Sequence, residues 1–335
     1  MTMQTQAGFS PVEVLVALIV GLVITVTVLQ VYIADKQTYR AADASARLQE
    51  NARFASELMA TEIRMAGYQG CAGAERTMLN KLQDASSFPY NFDIAAQGFD
   101  ATGTDSWTPT LDGSVSSALG GGDVLTIRGL FGGETAITGT TDTGNCGAAP
   151  LVVADASELM QGDIAVAGNC QAATVFQITG VSGTDIAHAE GGASPGNTAA
   201  NLGQCFAGDG ALGRLSTRTF YIRDNPAGVP SLYRMDVSGP NTRTEELIEG
   251  IEGMQVLYGV DTDSDLSANQ YLRAADISDW SRIHSVRLSF LFRSVDDYLA
   301  TDAQPYYFNG AITNPDDRRL RSVFTTTIGL RNRLP

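Results

Sequence analysis

Residues 9–33 read FSPVEVLVALIVGLVITVTVLQVYI, an apolar run with a single charge, Glu13. As a helix rising about 1.5 Å per residue, the run is long enough to cross a hydrocarbon layer of about 30 Å. An ordinary secretory signal has a basic start, a shorter apolar core and a small-residue cleavage site after that core. Here the preceding MTMQTQAG holds no Lys or Arg, no A-x-A-like site follows, and the helical pattern continues past Ile33. The segment is therefore expected to stay in the product as a single-pass anchor.

Glu13 is the costly residue in that run, because a carboxylate near a bilayer centre is disfavoured by about 2–3 kcal/mol or more. Its place close to the helix start offsets part of that through the positive end of the helix dipole. One reading stops there, with an acid at the membrane interface. The other asks which cation satisfies it. Cleavage between Gly8 and Phe9 would put a new amino group four residues before Glu13, and a neighbouring subunit's amine would pair with the carboxylate as subunits stack. Such a pair fixes axial register, since sliding one helix strands a charge in hydrocarbon.

After Ile33 the sequence turns polar yet keeps a helical period. Leu48, Ala52, Ala55, Met59, Ile63 and Ala66 recur every three or four residues as one apolar stripe, with Arg53, Glu57 and Arg64 off it. The spacing predicts a helix from about Phe9 to Ala66, with Gly67 as its C-terminal cap. Half would lie in the bilayer and half would pack on a folded body.

Beyond Cys71, β-branched runs alternate with Gly, Asn, Asp and Pro. The predicted strands are 123–131, 163–167, 174–181, 217–223, 231–235, 254–258, 283–293 and 322–330. In the last, Val323, Thr325 and Thr327 alternate with Phe324, Thr326 and Ile328, as in a half-buried strand. No long helical pattern separates the strands, so an antiparallel sheet is expected. Residues 86–122 and 135–150 read as loops or small excursions. The 35 glycines, clustered as in Gly120-Gly121-Gly122, also favour a body rich in strands and loops. The fold class is α+β, with leader 1–8, membrane half-helix 9–33, amphipathic half-helix 34–67 and an exported β-rich body 68–335 carrying a large loop and strand insertion.

A net charge of −15 spread along the chain repels phosphate backbones and argues against nucleic-acid partners. Cys71, Cys146, Cys170 and Cys205 form no CxxC pair, which disfavours a zinc cluster. An even count in an exported chain predicts two disulfides, with all three connectivities open.

The N-terminal segment Ala7-Gly8-Phe9-Ser10-Pro11-Val12-Glu13, followed by the apolar run, resembles the class III signal of type IV prepilins and pseudopilins. That resemblance implies a prepilin peptidase that cuts after Gly8 and methylates Phe9, with Glu13 as the assembly carboxylate. The leader lacks the usual basic residue, and Pro11 replaces an aliphatic one. Three further segments are similar to the PilW-like minor pilins. These are Gln49–Phe54 leading to Ile63–Tyr68, then Ile251–Asp261, then Arg319–Thr327 ending in Leu330–Arg333. The resemblance implies a low-abundance pilus subunit that joins other minor pilins in a complex starting the filament and staying near its tip. The alternatives are a J-type pseudopilin of type II secretion and a tip adhesin on a pilin stem. The implied partners are the major pilin, other minor pilins, the prepilin peptidase and the inner membrane, with the body periplasmic before assembly.

Catalytic patterns are sparse, and no enzyme is expected. Gly208–Gly213 matches GxGxxG on paper, but a strand-like segment follows where a dinucleotide site needs a helix. Two histidines, His188 and His284, stand near no recognisable nucleophile motif. Trp107 and Trp280, with the many tyrosines, have two readings, core or rim residues and an aromatic binding patch at the tip. Asp261, Asp263 and Asp265 alternate like the start of a calcium loop. However, Leu266 replaces the EF-hand glycine and Leu272 the bidentate acid. The two readings are a non-EF calcium site and a solvated hairpin turn; no other cofactor is expected.

Overall fold

The computed structural model describes residue 8, residues 10–70 and residues 78–333. The stem helix spans Pro11–Arg64. Pro at its first position sacrifices only an N–H that would lack an intrahelical partner. The helix stops at Met65, slightly short of the expected end, and Gly67 turns the chain at φ +75°. There the Gly67 N–H donates to Arg128 O at 2.8 Å, and Leu130 N–H donates to Tyr68 O at 2.8 Å, so the exit from the helix runs along a strand. This close approach requires Gly129, because a Cβ there would lie 2.9 Å from Met65 O.

All six stripe residues are buried, at 7% exposure for Leu48 and 1% or less for the others. They share one apolar cluster with Met254, Val256, Leu288, Phe290 and Ile328, and with Leu125, Phe220 and Leu232. Burial of Met59, Ile63 and Leu48 contributes about 1.5–3 kcal/mol each. The first group belongs to a four-stranded antiparallel sheet built from Gln270–Leu272, Ile251–Val260, Ile283–Arg293 and Arg321–Gly329, in that order. In register, Met254 faces Phe290 and Val286 faces Ile328. The alternation along the last strand is as expected: Val323, Thr325 and Thr327 are exposed while Ile328 is buried.

The second group belongs to a larger sheet centred on two long antiparallel strands, Val124–Thr140 and Ala211–Asp224. Each changes partner along its length. The second half of Ala211–Asp224 pairs with Pro230–Ser238 beside the stem, and its first four residues pair with Ile164–Gly168. The far ends of both strands carry a separate apolar cluster around Phe176, Ile186 and Phe206. The expected insertion is thus an outgrowth of the same sheet. All eight predicted strands overlap observed ones. Several features differ from the expectations, among them short strands such as Leu151–Val153 and Tyr306–Phe308. The 86–122 stretch holds the strand Ala96–Ala101, residues 135–140 continue a strand, Asn241–Glu249 forms an unforeseen edge strand, and Met78–Asn80 pairs in parallel with Ala173–Gln177.

Two buried acids join the Ala96–Ala101 region to the small sheet. Asp123 accepts from Ala101 N–H at 3.0 Å and Val256 N–H at 2.8 Å, while Asp100 accepts from Ala274 and Ala275 N–H. Burial pushes the Asp123 pKa up to about 6, against the pull of its two N–H donors. The folded chain therefore holds this proton more tightly than the unfolded chain. Its contribution to stability is lost as pH rises from about 4 to about 6, by about 2–3 kcal/mol. In Asp123→Asn that loss is absent, so raising pH from 4 to 7.5 is expected to shift the melting-temperature difference in the variant's favour. A pH-independent difference would refute the assignment.

Candidate functional site

The upper half of the stem is bare. Val12, Leu15, Leu18, Leu22, Val28 and Ile33 are each more than half exposed, and the apolar window of the helix has no buried residue. Two hydroxyls in this stretch, those of Thr25 and Thr27, donate back to Gly21 O at 2.8 Å and Val23 O at 2.9 Å. Such back-bonding satisfies a hydroxyl without water. The surface is suited to lipid or to neighbouring stems, not to solvent.

Gly8 is exposed, with open space where a Cβ would stand, and Phe9 lies outside the described residues. Glu13 reaches back over the first turn, accepting from Ser10 N–H at 3.4 Å. Ser10 and Glu13 are the outer members of a capping box, an S-x-x-E signature legible in the sequence. At 3.4 Å the bond is long, so a single subunit leaves this carboxylate weakly partnered.

The lower half of the stem is locked by charge as well as packing. Glu62 sits on the buried face at 7% exposure. Its Oε2 accepts from Arg218 Nη1 at 2.6 Å and its Oε1 from Arg234 Nη1 at 2.5 Å. Arg218 also pairs with Asp236 at 2.8 Å, and Arg234 with Glu245. Asn332 Nδ2 donates to Arg64 O and Ala66 O, tying the C-terminal turn to the end of the helix. The apolar stripe gave no hint of Glu62. An acid one position before a stripe residue, with arginines on facing strands, was the available clue.

Asp261, Asp263 and Asp265 do converge, each offering an oxygen within 4.8 Å of the others. Asp261 is buried and accepts N–H bonds from Asp263 at 3.1 Å, Ser264 at 2.6 Å and Leu266 at 2.9 Å. Burial opposes ionisation of Asp261, but the three donors prevail and hold its pKa below the usual carboxylate value. Leu266 takes the left-handed conformation, φ +66°, that the absent glycine would have favoured. The carboxylate thus closes the loop through its own backbone. Asp261→Ala is expected to lower the melting temperature equally in calcium and in chelator, and more at pH 7 than in acid below the normal Asp pKa. A loss seen only with calcium would mark a cation site instead.

Cys146 and Cys205 are bonded, with Cα atoms 5.3 Å apart, and Cys170 is also disulfide-bonded. Cys71 lies outside the described residues. In the GxGxxG segment, Ala211–Gly213 already belong to a strand, so no helix N-terminus faces the glycines. His188 is wedged between Ala200 O and Ala149 O, and His284 lies 3.7 Å from Asp261. Trp280 packs edge-on against Tyr258, and Trp107 donates to Gly122 O.

Comparison with known proteins places one similarity on this frame. Residues 219–332 match the family described as type IV pilus-assembly protein W. The match runs from the stem-facing half of the Ala211–Asp224 strand through the whole small sheet. No curated protein and no solved structure matches the chain.

Proposed function

We infer that this PilW-like type IV pilus protein is a minor pilin, a structural subunit that helps to initiate pilus assembly within a tip or priming complex. The observation that carries the reading is a stem whose upper half is bare and apolar while its lower half is locked into the family-matched sheet. Such a subunit stores in the membrane through the same surface that later packs against other pilins. The body would face the periplasm before assembly, and the major pilin and other minor pilins would be its neighbours. Its role is mechanical and not catalytic. The pilus-assembly match favours this reading over a J-type secretion pseudopilin.

Processing is the first test. Gly8 has room around it, so a bulky residue there would leave the fold intact while obstructing a peptidase that needs glycine. Gly8→Trp is expected to retain the leader. Mass spectrometry of the wild-type protein is expected to give a chain starting at methylated Phe9. Normal trimming of the variant, or a native chain starting at Met1, would defeat the proposal.

A further inference from the structure

Arg128 stands on the Val124–Thr140 strand and is 1% exposed. Its guanidinium donates from Nε and Nη2 to Phe88 O at 3.2 and 2.8 Å, from Nη1 to Ile94 O at 3.1 Å and from Nη2 to Gln97 Oε1 at 2.9 Å. Every one of these acceptors is neutral. The four bonds occupy Nε–H, both Nη2–H and one Nη1–H, which leaves the second Nη1–H of the five donors. Burial lowers the pKa to about 10, so the group is still charged at neutral pH. Among the described residues no carboxylate lies within ion-pair distance of it. Arg218, Arg234 and Arg321 are also buried or nearly so, and each holds two carboxylates. An uncompensated buried charge costs several kcal/mol, and a chain with net charge −15 has acids to spare for it. With no acid within ion-pair distance and one N–H unused, this arginine can take a further, anionic partner.

Arg128 also lines a cavity of about 200 Å³, walled by Phe88, Gln97, Phe99, Pro109 and Asp112. Phe88 lies under the charge, its ring centroid 5.4 Å from Arg128 Cζ. Asp112 is half-buried. Its Oδ1 accepts from Ser114 N–H at 2.9 Å and from the Ser114 hydroxyl at 2.6 Å, and its Oδ2 has no hydrogen bond among the described residues. The cavity therefore offers one buried cation, one acceptor carboxylate and two aromatic walls, in a volume below that of drug-sized sites.

We propose that this cavity binds a small zwitterion, an α-amino acid, with its carboxylate against Arg128 and its ammonium toward Asp112. A bare carboxylate would satisfy Arg128 and meet a like charge at Asp112. A bare amine would meet the converse. Only a ligand carrying both charges compensates both groups, and charge-assisted bonds of this kind are the strong ones. The site lies outside the family-matched residues 219–332, on the stem side of the large sheet, and does not depend on the pilus reading.

The test is calorimetric titration and thermal shift on the full chain in detergent, with glycine, L-alanine, L-glutamine, propionate and ethylamine. At least one amino acid is expected to bind saturably and raise the melting temperature, with propionate and ethylamine at least tenfold weaker. Arg128→Lys is expected to lose at least tenfold in affinity. That substitution also removes bonds that tie Phe88 and Ile94 to the strand, so Asp112→Asn provides a second arm. Asp112 is bonded within its own turn, and its substitution is expected to leave the fold intact while erasing the preference of alanine over propionate. No saturable binding of any amino acid to the wild type would overturn the proposal. So would equal affinity for alanine and propionate.

Discussion

Glu62→Ala is expected to lower the stability of the folded body by about 3–4 kcal/mol, near the lower end of what loss of one partner from a buried ion pair costs. Glu62, Arg218 and Arg234 have side-chain exposures of 8%, 12% and 19%, so little water replaces the lost carboxylate. Each arginine keeps one acid, Asp236 or Glu245, which is why the full range is not expected. Arg234 Nε already lacks a partner and gains none. Glu62→Gln should fall between variant and wild type, because it keeps an acceptor and loses the charge. The measurement is urea unfolding of the detergent-solubilised chain. A change within 0.5 kcal/mol, the scale of an ordinary surface substitution, would mean that Asp236 and Glu245 suffice and that packing alone holds the stem. Because Glu62 is a buried charged contact between stem and body, with the Arg40–Asp296 pair exposed, its loss is also expected to let the two halves move relative to each other.

Glu62 also marks where sequence reading stops. The six-residue apolar stripe was legible, since helical period and burial express the same geometry, and every member is buried. A charge on that face violates the pattern unless its partners are known, and Arg218 and Arg234 are more than 150 positions away. Two strands escape the sequence reading for the same kind of reason. Asn241–Glu249 is an exposed edge strand whose polar residues fall on both faces, so no alternation appears; charged edges of this kind guard against unwanted pairing. Ala96–Ala101 was hidden by Gly98 and Asp100. Both are explained only by distant contacts. The Tyr258 hydroxyl occupies the space of a Gly98 Cβ, and Asp100 receives two N–H bonds from Ala274 and Ala275. The acidic loop was found by its spacing, but its hydrogen bonds to Asp261 could be seen only in three dimensions. Arg128 gave no motif at all.

Glu13→Ala is expected to reach the membrane at wild-type levels and to enter filaments poorly. In the isolated chain Glu13 has a single long capping bond and a helix-start position, and neither requires a carboxylate for insertion. Removing it even relieves the about 2–3 kcal/mol cost of a charge in hydrocarbon. In a filament the same cost falls on any register that leaves the carboxylate without an amine. Correct stacking must then supply at least that much, equivalent to roughly 30- to 150-fold in incorporation. Immunoblots of sheared filaments against membrane fractions measure the ratio directly. Glu13→Gln separates the two roles of the residue, because it preserves an acceptor for Ser10 N–H while discarding the charge. If Glu13→Gln assembles like the wild type, the residue serves only as a cap. If it fails as Glu13→Ala does, the charge itself sets the register, and the bare apolar stem is a surface whose position along the filament is dictated by one acid.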